Sequence, residues 1–254
     1  MKPAVHTQWR RNLRLNESSK RVLLLAALII MMSIVAAMLS SEFLQPKNLI
    51  NILANNAIYG IMGVGMTLVI ITGSIDVSVG AQFAVIGMLV GAAANWLDAA
   101  GVHSVLLIFL FAALCGAVLG LFNGVMVAKL HLPAVIVTLA TMSIFRGLLL
   151  YITDGAWIAL LPRWYTTLAS AKFLGIHLFV YLWFFLVLLM VLFIRYTKKG
   201  RQILALGGNP TAAMRLGIKP AAIYLFVFVL WGMIIGIAST VYVAQLGGVQ
   251  PTAG

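Results

Sequence analysis

The sequence is poor in acids. Glu17, Glu42, Asp76, Asp98 and Asp154 stand against seventeen lysines and arginines, and charged residues occupy only 9% of 254 positions. Of the five, only Asp76 is placed to lie deep in an apolar region, so a carrier driven by ion-coupling carboxylates has few candidates and energy is expected to enter from elsewhere. There is one cysteine, Cys115, inside an apolar run, without a partner for a disulfide or a thiolate metal site. His6, His103, His131 and His177 are scattered and show no metal-ligand spacing. No G-x-x-x-x-G-K-[ST] phosphate loop occurs, so nothing in the chain argues for ATP hydrolysis by this chain itself. No catalytic residue, metal ligand or cofactor of its own is expected.

What the chain has instead is oil. Hydrophobic residues make up 63% of it, which excludes an ordinary soluble surface. Crossing a hydrocarbon core takes roughly 20 apolar residues as a helix. Such runs recur at about 22–41, 49–72, 77–97, 104–128, 133–153, 174–194 and 221–246. The expected fold is all-α, a polytopic bundle of seven transmembrane helices. The first run, Val22 to Leu39, follows a basic stretch as a signal peptide would, but it exceeds the usual apolar core of about 7–15 residues and further spans follow, so it reads as a retained helix.

The net charge of +12 reports topology rather than a nucleic-acid partner, because the basic residues fall in loops between spans. With the N-terminus inside, the inner segments hold Lys2, Arg10, Arg11, Arg14, Lys20, Arg21, Lys129, Arg195, Lys198, Lys199, Arg201, Arg215 and Lys219. The outer ones hold only Lys47, Arg163 and Lys172. This divides the chain into a basic cytoplasmic segment, 1–21, and a membrane domain, 22–254, with a cytoplasmic loop at 195–220. The C-terminus then falls outside. Trp96, Trp157 and Trp164 sit near outer boundaries, where amphipathic rings are favoured. Residues 154–173 suit an interfacial helix or a re-entrant segment. Gly87 with Gly91, Gly116 with Gly120 and Gly124, and Gly232 with Gly236 have the spacing of close helix packing.

Three places break the apolar pattern. In "ITGSIDVSVGAQ", residues 71–82, Gly73, Ser74, Asp76, Ser78 and Gly80 interrupt what would otherwise be one long helix. Such a break is tolerated at depth only against protein or water. Asp76 and Ser78 therefore suit either a polar translocation path or a tight turn leading into the next helix. Arg146 lies about 12 Å along a helix from Asp154 and suits snorkelling, packing within the bundle beside a carboxylate or backbone carbonyls, with a structural ion pair favoured, or a substrate contact. Asn55, Asn56, Thr67 and Asn123 are weaker path candidates, better read as bonds between helices. The third break is "ALGGNPTAAMRLGI", residues 205–218. Asn209 suits an N-cap, Pro210 the first turn, and Gly217 the left-handed residue past the end. It reads as a short, exposed helix.

The stretches "GMTLVIITGSIDVSVG", "LFNGVMVAKLHLPAVIVTLATMSIFRG" and "TKKGRQILALGGNPTAAMRLGI" together resemble the permease subunits of bacterial ABC sugar importers, in the ribose, rhamnose and autoinducer-2 branch, over roughly residues 45–254. The resemblance implies alternating access in the bacterial inner membrane. It implies a second permease copy or paralogue, a separate ABC ATP-binding subunit that carries ATP and Mg, and a periplasmic or extracellular sugar-binding protein. It further implies that the short helix is the element coupling to the ATPase, carried by Gly207, Gly208, Asn209, Pro210, Ala213, Arg215 and Gly217. Permeases of this kind run on past "AQLGGVQPTAG" into more spans, so the membrane domain reads as C-terminally incomplete. An ATP-independent facilitator or secondary transporter, and a non-transporting truncated subunit, remain the alternatives.

Overall fold

In the computed structural model, residues 17–254 are described; Lys2, Arg10, Arg11, Arg14 and His6, and with them most of the basic segment 1–21, lie outside the described residues. The order of elements is α1 (Glu17–Leu39), α2 (Pro46–Ile71), α3 (Val79–Ala99), α4 (Val105–Lys129), α5 (Ala134–Thr153), α6 (Arg163–Ser170), β1 (Lys172–Phe173), β2 (Ile176–His177), α7 (Leu178–Tyr196), α8 (Lys198–Gly208), α9 (Pro210–Arg215) and α10 (Pro220–Leu246). Among the described residues, seven helices are long and apolar enough to cross a membrane. The chain is a multi-pass membrane protein.

Two compact units divide it, one ending at Asn51 and one comprising Ile52–Gly254. In the first, the link after α1 is closed by Asn48 Nδ2 donating to Phe43 O at 2.8 Å. The second holds the remaining spans around one seam. There α4 and α10 run antiparallel with backbone against backbone: a Cβ added to Gly116 would collide with Gly232 O, one on Gly120 with Phe228 O, and one on Gly236 with Ala112 O. These glycines pack, as their spacing suggested, because lipid tails give apolar side chains no preference for each other and close approach maximises dispersion. Onto this pair packs α3, tied by Ser239 Oγ donating to Phe83 O at 2.9 Å. Helix α6 joins α10 through the buried Tyr165 hydroxyl, which donates to Thr240 O at 2.6 Å.

The expected spans agree with the helices to within three residues except at α1, which begins at Glu17 rather than near 22, and at α7, which begins at Leu178 rather than near 174. The β1–β2 hairpin occupies that interval, turning at Leu174 and Gly175, both with positive φ. Residues 154–173 contain the short α6, as an interfacial helix would require. The loop 195–220 holds two helices where the sequence suggested one. Thr197 caps α8, its Oγ1 accepting from Gly200 N at 2.9 Å, and residues 205–208 belong to α8, not to the following helix.

Candidate functional site

Helix α2 stops at Ile71, and Gly73 takes φ +76° where a side chain would be strained. The chain then crosses to α3 through Ser74–Ser78 with Asp76 buried at the centre. Its Oδ1 accepts from Ser78 N at 2.8 Å and from Ser78 Oγ, while its Oδ2 accepts from Gln82 Nε2 at 3.0 Å and from Trp231 Nε1 of α10 at 2.9 Å. Ser78 Oγ also accepts from Gln82 Nε2 at 2.8 Å and from Asn123 Nδ2 of α4 at 2.9 Å. On the far side, Thr138 Oγ1 of α5 accepts from Val77 N at 3.1 Å. The non-helical backbone of the link thus takes part of its hydrogen bonding from side chains, and the link is knotted to α4, α5 and α10. Gln82 Oε1 and Asn123 Oδ1 remain buried without hydrogen-bond partners among the described residues. Sequence reasoning missed Gln82 and Trp231. Gln82 lay one turn after Ser78 and was legible on that ground; Trp231 sits in an unbroken apolar helix and carried no signal.

Of the path candidates, the structure brings together Asp76, Ser78 and Asn123 alone. Asn56 Nδ2 donates to Ile52 O at 2.8 Å and Thr67 Oγ1 to Gly63 O at 2.8 Å, each one turn back in its own helix. Asn55, like these two, is exposed. The expectation that these four polar residues bond between helices thus holds for Asn123 and is corrected for Asn56 and Thr67, whose own carbonyls compete successfully for short polar side chains. Arg146 finds no carboxylate either. Its Nη1 donates to Pro251 O at 2.8 Å and Ala253 O at 3.0 Å, and its Nη2 to Gly254 O at 3.3 Å. Of the two partners expected within the bundle, a carboxylate and backbone carbonyls, the guanidinium takes the carbonyls, on residues that no helix uses, and the favoured ion pair is corrected.

Asn209 Oδ1 caps α9 by accepting from Ala212 N at 3.0 Å, Pro210 follows in the first turn, and Gly217 has φ +79° past its end. The seven residues of this segment face different ways. A Cβ on Gly207 would strike Ile71 O at the end of α2, so this glycine packs α8 against its own bundle. Ala213 is buried. Gly208, Asn209, Pro210, Arg215 and Gly217 are exposed, with open space beside Gly208. So are Met214 in α9 and Leu216 at its C-cap, apolar residues the sequence reading passed over although both stand inside the quoted stretch. At the other end of the bundle, His103 approaches Asp98 at 3.2 Å and stacks on Trp164, and His177 Nδ1 lies 3.0 Å from Ala169 O. No group of three or more His, Cys, Asp or Glu side chains gathers among the described residues.

The family described as "Branched-chain amino acid transport system / permease component" matches residues 48–254, which include the Asp76 link, Arg146 and the α8–α9 pair. The chain belongs to this family. Among its permease relatives, the Autoinducer 2 import system permease protein LsrC of Salmonella typhimurium is 33% identical over 216 residues, covering 85% of this chain and 61% of that protein. The Ribose import permease protein RbsC of Bacillus subtilis is 36% identical over 231 residues, 87% of this chain and 68% of that one. LsrC of Yersinia pseudotuberculosis (strain YPIII) is 35% identical over 194 residues, 76% and 54%. The chain thus spans about three fifths of the Salmonella permease it matches. No solved structure matches it.

Proposed function

We infer that this chain is the membrane-spanning permease subunit of an ATP-binding-cassette importer, moving a sugar or sugar-like small molecule across the bacterial inner membrane by alternating access. The observation that carries this reading is the identity to autoinducer 2 and ribose import permeases over most of the chain. Within the family, those names favour a sugar over a branched-chain amino acid. A separate ABC ATP-binding subunit holding ATP and Mg, a second permease copy or paralogue and an extracellular sugar-binding protein complete the machine.

The α8–α9 pair is the coupling element. It presents Met214, Leu216 and an unobstructed Gly208 outward while Gly207 rests on the end of α2. Motion of an ATPase against α9 would reach Ile71 and, five residues further along the chain, the Asp76 knot. Asp76, Ser78 and Asn123 are the joint that the motion works on, and Arg146 holds the wall of the path. The charge pattern supports a cytoplasmic position for 1–21 and 195–220.

Uptake of radiolabelled ribose into vesicles containing the chain with its ATPase and binding protein tests the reading. Uptake that needs ATP and all three components is expected. Uptake driven by an ion gradient without ATP would overturn it in favour of a secondary carrier, and assembly without any uptake would favour a non-transporting subunit.

A further inference from the structure

Two tryptophans hold α2. A Cβ added to Gly60 would run into the indole of Trp183 on α7, and one added to Gly65 into the ring of Trp231 on α10, so each glycine is a notch with a ring seated in it. The notches are five residues apart, which is roughly 8 Å along the helix and about 140° around it. Rings from α7 and α10 therefore enter different faces of α2. A third contact lies at the C-terminal end of α2, where Gly207 of α8 packs on Ile71 O.

Two of these three contacts belong to one piece of chain. At the α7–α8 corner Thr197 Oγ1 donates to Phe193 O at 2.7 Å and accepts from Gly200 N at 2.9 Å, and a Cβ on Gly200 would collide with Phe193 O. Arg201 Nη1 adds a bond to Tyr196 O at 3.3 Å. Helices α7 and α8 therefore turn as a unit, and α9 follows directly through its cap on Asn209. This unit meets α2 at Ile71 and again at Gly60, eleven residues or roughly 16 Å up the helix. Contact at one level lets a rod tilt, and contact at two levels does not. The unit also touches α10, where Phe193 stacks on Phe226 with ring centroids 5.9 Å apart, but flat faces, unlike a seated ring, set no steric stop to sliding. Helix α10 in turn is welded to α4 by main chain and holds Asp76 through Trp231. The link after Ile71 thus runs from a helix gripped by α7 and α8 to a carboxylate gripped by α10.

We propose that α2 moves with α7, α8 and α9 as a lever against α4 and α10, and that Trp183 is the positioning residue whose seat at Gly60 makes it follow. The proposal rests on the reading of α8 and α9 as the coupling element and adds to it a second grip, one that sets the tilt of α2 as well as the place of its end.

Paired cysteines in the notch, Gly60→Cys with Trp183→Cys in a Cys115→Ala background, test it in vesicles holding the permease with its ATPase and binding protein. Without a cross-linker the pair is expected to keep ATPase association and ATP hydrolysis while ribose taken up per ATP falls about tenfold, the size of an ordinary coupling loss. A short bifunctional methanethiosulfonate that ties the two thiols together is expected to bring uptake per ATP back close to wild type. A merely structural Trp183 would lower assembly and uptake together, and the tie would not restore them. Undiminished uptake without the cross-linker, or uptake that the cross-linker leaves low or abolishes, would overturn the proposal, since α2 would then not travel with α7. If the pair does not assemble, Trp183→Phe and Trp183→Ala decide: uptake per ATP is expected to fall from Trp to Phe to Ala with the ATPase still bound, and equal values overturn the proposal. Wild type that binds its ATPase but imports no ribose counts against the inferred function alone. Cross-linking yield then carries the test, being equal before and after vanadate trapping if α2 follows α7 and severalfold lower after trapping if it does not.

Discussion

Asp76 is held by four donors, and none of them carries a charge. A carboxylate accepts on both oxygens, and each of its two oxygens here takes two hydrogens; an amide in its place must turn an NH2 toward donors that have nothing to give it. Asp76→Asn therefore strands donors at about 1–3 kcal/mol each. The expected result is a clear fall in the thermal unfolding temperature of the purified protein, together with loss of uptake. Trp231→Phe, which removes one donor and leaves the ring's bulk, is expected to cost less, about 1.5–3 kcal/mol as for a hydrogen bond to a charged group. Equal unfolding temperatures for wild type and Asp76→Asn would show that the knot does not hold the link.

Among the elements, the seven spans were legible because a membrane helix has no choice but to be a long apolar run. Helix α8 was not. It is short and begins with Lys198 and Lys199, so it looked like a basic loop, and its packing depends on Gly200 and Gly207 lying against the ends of α7 and α2, which no local pattern encodes. The cap of α9 was legible for the opposite reason, since Asn209, Pro210 and Gly217 act through backbone geometry within a few residues. Of the site, Asp76, Ser78 and Asn123 stood out as polar residues in oil. The partners of Arg146 stayed hidden because they are main-chain carbonyls, which every residue has.

The neighbouring glycines Gly207 and Gly208 give the element-scale prediction. Gly207→Ala pushes a methyl into Ile71 O and is expected to destabilise the permease itself, by about 1–3 kcal/mol as overpacking does. Gly208→Trp enters open space, so unfolding is expected to stay put while co-purification with the ATPase falls. Undiminished co-purification and uptake with Gly208→Trp would remove Gly208 from the docking surface.

On the scale of the whole molecule, the charge pattern predicts that the α7–α8 junction faces the cytoplasm and the β1–β2 hairpin the other side. Alkaline phosphatase inserted after Gly175 is expected to be active and after Thr197 inactive, because the β1–β2 hairpin and the α7–α8 junction lie at opposite ends of one span. The reverse pattern would invert every inside and outside assigned above. The α4–α10 seam also governs how this protein can change over generations. At Gly116, Gly120, Gly232 and Gly236 the opposing atoms are main chain, which no compensating substitution can trim. Every other amino acid brings a Cβ that meets backbone here, so a codon change at any of these four positions forces the two helices apart. The room this fold has to vary is thus limited most where it has no side chain to vary.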